Sequence, residues 1–526
     1  MPNKSTDTLF QLIHSLEKSE KRNFKLYIKR NTSKGDLKII TLFDAIDRLA
    51  TYDEEAILRK NPSISKQQLP NLKAHLYRQI LISLGLLQNS TTSDFQFFEQ
   101  LEFAKILYRK GLFHQSLRIL DKIKDAAKEA HQIPILITVL EEEKRIEYLH
   151  ITRSSADRAT VLTSEVTEAA IRYHKQTRLG NLALQLYGWY IKNGIASNAK
   201  AEKEISNFFK EQLTNDLRRP EGFYEQLYYY QSYCWYAYIR QEFLMYYRYS
   251  KKWTEVFYDY PEMFSIETEN FLKGMHNLLN AHFNLRNFDG FKKSLEDFES
   301  FAISSPAIQD ENTRIQTFVY LYTARINKHF LEGTFEEGIR LIPDIVNQLD
   351  QYELILDKHR TLVFYYKIAS LYFGAGQYGE AIDYLNKIIN WKVNLRSDLQ
   401  CYSRLLHLIA HYELGNFTLL EYLIKSVYRF MAKMENLSKV EEAMFGFLRR
   451  SFHISKKEIK SEFARLLNEL KTMESGKFET RAFAYLDIIS WLESKVYNKP
   501  VASIIRKKYI EKKRFDKITA PTTDHS

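Results

Sequence analysis

The chain has 526 residues, 45% hydrophobic and 27% charged, with 76 Lys and Arg against 65 Asp and Glu for a net charge of +11. That composition excludes a disordered polar chain, and the length exceeds one ordinary core, so several domains or one elongated repeat array is expected. Only 17 Gly and 10 Pro argue against a turn-rich all-β fold, and two cysteines are too few for a disulfide framework or a four-ligand zinc site.

Residues 1–90 read as a separate helical module. Leu9, Leu12, Ile13 and Leu16 recur on one helical face. A second helix turns Phe24, Tyr27 and Ile28 inward, and Asn31–Asp36 is a loop. Helices follow over Leu37–Ala50, Asp53–Lys60 and Gln67–Leu87, with Pro70 tolerable only near the start of the last. NSTTS at 89–93 is the boundary. The start of the sequence shows no apolar stretch suited to a signal peptide, and no run approaches the roughly 20 apolar residues of a membrane span. The expectation is a cytoplasmic protein without membrane insertion, with Cys234 and Cys401 as small buried hydrophobes.

From Phe95 a helix-pair pattern recurs. It is clearest at Tyr365–Ile388, where Ala369 and Tyr372 are followed by Gly376 and Tyr378 at a turn, then by Ala381 and Leu385. Small residues let two antiparallel helices approach, large ones fill the space between, and Gly permits the tight turn. Ala104, Leu107, Gly111, Phe113, Ser116 and Leu120 fit the same pattern. The turn aromatic returns at Phe288, Phe335, Tyr378 and Phe417, at spacings of 47, 43 and 39 residues. The 175 residues from Phe113 to Phe288 leave room for three degenerate units between them.

This pattern resembles the tetratricopeptide repeat (TPR), over roughly residues 95–435, with units longer than that family's 34 residues and without its closing Pro. The resemblance implies an all-α, TPR-like antiparallel helix-pair solenoid after an N-terminal helical module. It also implies a concave surface, lined by the first helix of each pair, that binds a protein or peptide. The array is expected over 91–435, C-terminal capping helices over 436–500, and a basic terminal segment and frayed tail over 501–526. Ser455 and Glu458 form a capping box for a helix to about Met473, and Phe478–Tyr497 supplies another.

Four constellations are candidates for function. His407 and His411 have the i, i+4 spacing of a metal pair, but Leu408 stands where a zinc peptidase needs Glu. In the repeat alignment His411 takes the position of Tyr372, as do His282 and His329, so packing is the expected role and no metal or other cofactor is expected. Phe223–Tyr260 holds 17 aromatics in 38 residues. Tyr229, Tyr233, Tyr236 and Arg240 share one face there and are the candidate partner-binding residues; core packing in a helix buried on both sides is the alternative. Lys18, Lys21, Arg22, Lys25 and Lys29 form a basic stripe if they share one helix, either a solvated face or a contact for nucleic acid. The helices over 53–60 and 67–87 are too loosely joined, and the second too long, for a usual helix-turn-helix. The acidic run Glu141–Glu143 beside Lys144 and Arg145 suggests a solvated, salt-paired surface.

No phosphate loop, dinucleotide fingerprint or nucleophile elbow is present, so no catalytic residues are assigned. The sequence thus reads as a non-enzymatic scaffold or adaptor that binds a protein or peptide. The alternative is a regulator with a nucleic-acid-binding N-terminal module and a TPR-like sensor, similar to bacterial regulators that join a DNA-binding module to a TPR domain.

Overall fold

The computed structural model describes residues 7–31, 37–88, 93–150, 157–196, 198–353, 355–391, 397–433, 438–451, 454–455, 458–473 and 487–519. Among them the fold is all α, with no strand. They form two compact units, 1–170 and 171–526.

The first unit opens with α1 (Thr8–Ser15), α2 (Lys18–Asn31), α3 (Leu37–Asp47), α4 (Glu54–Lys60) and α5 (Leu69–Gln88). Asp7 starts α1 by accepting from the backbone N–H groups of Leu9 and Phe10, and Asp53 starts α4 by accepting from Ala56. These five helices share their own core around Ile13, Phe24, Phe43, Leu76 and Ile80. Lys73 of α5 clamps the group, pairing with Asp7 and donating to the Tyr52 hydroxyl at 2.8 Å.

Next come α6 (Ser93–Arg109), α7 (Phe113–Glu129) and α8 (Ile133–His150), followed by α9 (Arg158–Asn193), inside which the division between the units falls. Ala104 of α6 is buried against α7, where the Ser116 hydroxyl donates to its carbonyl at 2.8 Å. The acidic run divides. Glu141 and Glu142 pair at the surface with Lys144 and Arg145, as expected, but Glu143 is wholly buried between Lys124 (3.1 Å) and Arg158 (2.9 Å). Burial raises its carboxyl pKa against the pull of those cations.

The second unit continues with α10 (Ala199–Gln212), α11 (Gly222–Ile239), α12 (Phe243–Asp259), the short α13 (Met263–Ile266), α14 (Thr268–Leu285) and α15 (Phe288–Ala302). It goes on through α16 (Ser305–Ile308), α17 (Glu311–Glu332), α18 (Phe335–Ile339), α19 (Ile342–Gln351), α20 (Lys358–Gly374) and α21 (Tyr378–Ile389). The last helices described are α22 (Ser397–Glu413), α23 (Phe417–Lys433), α24 (Lys439–Ser451), α25 (Ile459–Met473), α26 (Ile488–Tyr497) and α27 (Val501–Thr519). Helices pair as α11–α12, α14–α15, α17–α18, α20–α21 and α22–α23, and each pair packs on the next. One continuous core runs from Phe223 to Ile505.

The turns explain the repeat. The residue two before the second helix takes a left-handed conformation at Gly111, His131, Gln241, Arg286, Gly333, Gly376 and, by the same spacing, Gly415. The next N–H then reaches back five residues to a carbonyl at 2.8–3.2 Å, as from Gln377 to Tyr372 and from Asn416 to His411. This is the Schellman arrangement, which satisfies carbonyls that a helix end leaves open. His282, His329, Tyr372 and His411 each supply that acceptor, which accounts for their alignment. At two of them the imidazole also meets the turn residue's side chain, His329 with Thr334 at 2.8 Å and His411 with Asn416 at 3.0 Å.

One sequence expectation changes. Between Phe113 and Phe288 the chain holds one regular pair, α11–α12, preceded by α8, the 36-residue α9 and α10, in place of three degenerate units. The basic segment expected over 501–526 is helical through Thr519 and packs on α17. The stretch 478–486 of the helix expected over Phe478–Tyr497 lies outside the described residues, as do 32–36 of the expected loop, 89–92 of the expected boundary, and 520–526.

Candidate functional site

Tyr229, Tyr233, Tyr236 and Arg240 do share one face of α11, and that face packs against α10 and α12. Tyr236 stacks on Phe209 at 4.0 Å and Tyr233 on Tyr249 at 4.3 Å. Arg240 pairs with Glu202 at 2.8 Å and Glu242 at 2.9 Å. Cys234 and Cys401 are free and buried.

The opposite side of α11 faces a cavity of about 580 Å³ inside the second unit. Tyr187 and Tyr190 of α9, Trp235 and Tyr238 of α11 and Tyr246 of α12 line one side of it. The rest of the wall comes from the first helices of successive pairs: His276, Asn277 and Asn280 of α14, Tyr320, Thr323 and Asn327 of α17, and Arg360, Lys367 and Ser370 of α20. Asp487 and, on α27, Lys508, Tyr509 and Lys512 add to the lining. The sequence signal for these residues is the first-helix position itself, since first helices face inward in a stack of pairs.

A polar chain crosses the floor. Lys367 donates to the Asn327 side-chain oxygen at 2.6 Å, and the Asn327 amide lies 3.5 Å from the Asn280 oxygen. The Asn280 amide meets His276 Nε2 at 2.9 Å, and the imidazole stacks on Tyr320 at 4.5 Å. On α12 the Tyr246 hydroxyl donates to Asn277 at 2.9 Å. Lys273 sets its ammonium 4.1 Å from the Tyr187 ring centre. Burial pushes Lys367 down to about 8, and burial with the charges of Lys367, Arg360 and Lys273 pushes His276 down to about 3. His276 is therefore a neutral imidazole at pH 7, and its Nε2 is the acceptor for Asn280.

α27 closes one end. Its Tyr509 ring packs edge-on against Phe288 at 4.6 Å, and Lys512 donates to the Leu285 carbonyl at 3.2 Å. Lys508 pairs with Glu493 at 2.7 Å. At Gly333 a Cβ would sit 2.7 Å from the Ala502 carbonyl oxygen, so only a glycine admits the helix at that distance.

His407 and His411 face one another, Nε2 to Nε2, at 3.3 Å. Among the described residues no group of three His, Cys, Asp or Glu is placed to hold a metal ion. In the first unit, Lys21 and Lys25 of the basic stripe pair with Asp47 (2.7 Å) and Asp44 (2.6 Å) of α3, while Lys18, Arg22 and Lys29 are exposed. No described helix is long and apolar enough to cross a membrane.

No family model matches the chain, and no curated protein matches it in sequence. Among solved structures, the apo form of RapI is similar over 76% of this chain and 98% of that one, at 14% identity and a TM-score of 0.37.

Proposed function

We propose that this chain is a non-enzymatic scaffold or adaptor that binds a peptide or protein segment in the cavity of its second unit. The observation that carries this reading is the composition of the wall. Rigid aromatic rings from α9, α11 and α12 stand opposite Asn277, Asn280 and Asn327, whose side-chain amides each spend one acceptor contact and one N–H on internal partners and keep a second N–H and a second lone pair for a ligand. A peptide presents the complementary set: apolar side chains that need burial and backbone groups that need partners. Stacked helices hold the wall before a ligand arrives, which keeps the ordering cost of binding low.

In this reading Tyr229, Tyr233, Tyr236 and Arg240 support the wall from behind, through Phe209, Tyr249 and Glu202. The test is affinity capture of tagged protein from its own cells, with and without nuclease, followed by mass spectrometry. Wild type is expected to retain a stoichiometric protein or peptide after nuclease. Asn284→Ala, at a lining residue of α14 whose amide bonds the Asn280 carbonyl of its own helix, should weaken retention with little change in melting temperature, whereas Tyr229→Ala with Tyr233→Ala should lower the melting temperature by several degrees. Partners lost on nuclease treatment would refute the reading.

A further inference from the structure

The charge of the cavity is one-sided. Its described lining holds six Lys and Arg side chains and a single carboxylate, Asp487. That carboxylate is already occupied, accepting from the backbone N–H of Ser490 at 2.9 Å and from its hydroxyl at 2.7 Å at the start of α26. Arg360 pairs with Asp357, and Lys508 with Glu493. Among the described residues Lys273 and Lys367 have no such carboxylate. Lys273 rests on Tyr187 and Trp235, and Lys367 on the neutral Asn327 oxygen. Two ammonium groups removed from bulk water without counter-charge are costly, and a fold gains nothing from them unless something else completes the set.

We propose that the cavity takes its ligand by a carboxylate seated beside His276, between Lys273, Arg360 and Lys367. This rests on the peptide-binding reading above and adds the chemistry of the recognised group. His276 fits the position. Its Nε2 accepts from Asn280, so Nδ1 bears the ring proton and donates. Asn327 holds Lys367 in place through its oxygen, and Tyr320 fixes the imidazole plane from below. A carboxylate there receives one neutral and two or three cationic donors, the pattern of a strong charge-assisted site. The peptide's own terminus and an Asp or Glu side chain both supply the group, and so would a small polycarboxylic acid.

The experiment uses the full chain and three probes at equal total concentration: a random pentapeptide pool with free C-terminal carboxylates, a pool lacking Asp and Glu with amidated C-termini, and citrate. Thermal shift and titration calorimetry read the binding. The free-acid pool is expected to bind at least tenfold more tightly than the amidated pool. Lys367→Met and Lys273→Met, which keep an unbranched side chain and remove the charge, should each remove that preference while the ligand-free protein melts no lower than wild type.

Equal binding of both peptide pools, or a preference that survives in both variants, overturns the carboxylate and leaves the peptide reading standing. Citrate binding with the same variant dependence, and no binding of either pool, supports the carboxylate site and overturns the peptide as its source. Silence from all three probes overturns both.

Discussion

Lys367 carries a cost that pH can reveal. An unfolded chain keeps a lysine protonated to about pH 10.5, whereas burial in the cavity pushes this amine down to about 8. Below pH 8 both states are protonated and the fold bears the buried charge in full. Between 8 and 10.5 the folded protein releases its proton first, so the cost fades as pH rises; linkage puts it at about 3 kcal/mol. Lys367→Met is therefore expected to be more stable than wild type at pH 7, with the difference shrinking by pH 10. Urea unfolding of both proteins at the two pH values measures it, and a gap independent of pH would mean the amine is hydrated. None of this was legible at Lys367 in the sequence, where a lysine within YYKIAS reads as one more charge on an amphipathic helix. Its burial follows from where four successive first helices meet.

At the scale of the element, the turn sets the repeat. Gly376 has a φ of 80° and nothing within 4 Å of where a Cβ would lie. Gly376→Ala thus isolates the backbone cost of a left-handed residue, about 1 kcal/mol, with no clash to confuse it. Chemical denaturation should show that loss, and a cost near zero would mean the turn relaxes to another conformation. The glycines at 111, 333, 376 and 415, with the aromatics after them, made these turns legible. Gln241 hid another. It adopts a φ of 57° without being glycine, because the bond from Glu242 to the Ala237 carbonyl at 2.9 Å holds the turn. Phe243, 45 residues before Phe288, was the signal available. The aromatic stretch 223–260 misled differently. Its first helix, α11, is apolar on nearly every face, so periodicity gave no means of separating the side that meets α10 from the side that meets the cavity.

For the whole molecule, separate cores predict separate responses. Phe24 is buried at 1% exposure in a cluster confined to residues 9–80. Phe24→Ala should cost about 3–5 kcal/mol there, and should speed amide exchange in α1–α5 without changing protection in α11–α23. Hydrogen exchange with mass spectrometry reads both, and faster exchange throughout would show one cooperative unit. The helices α1–α5 were legible because they carry clean apolar faces and the break before α5 carries Asn, Pro and Ser. The residues lining the cavity were not, because a wall assembled from α9 to α27 has no local pattern.

The docking of α27 has a consequence for timing. Lys512 closes onto Leu285 across 227 residues of chain. At about 5–20 residues per second, a ribosome needs roughly 10–45 seconds to travel that far. The aromatic wall and the amide floor are thus made, and free to pack, well before the helix that shuts their end emerges. Maturation of the site is a late event in the life of each chain, and a nascent chain stalled short of α27 would present the wall open.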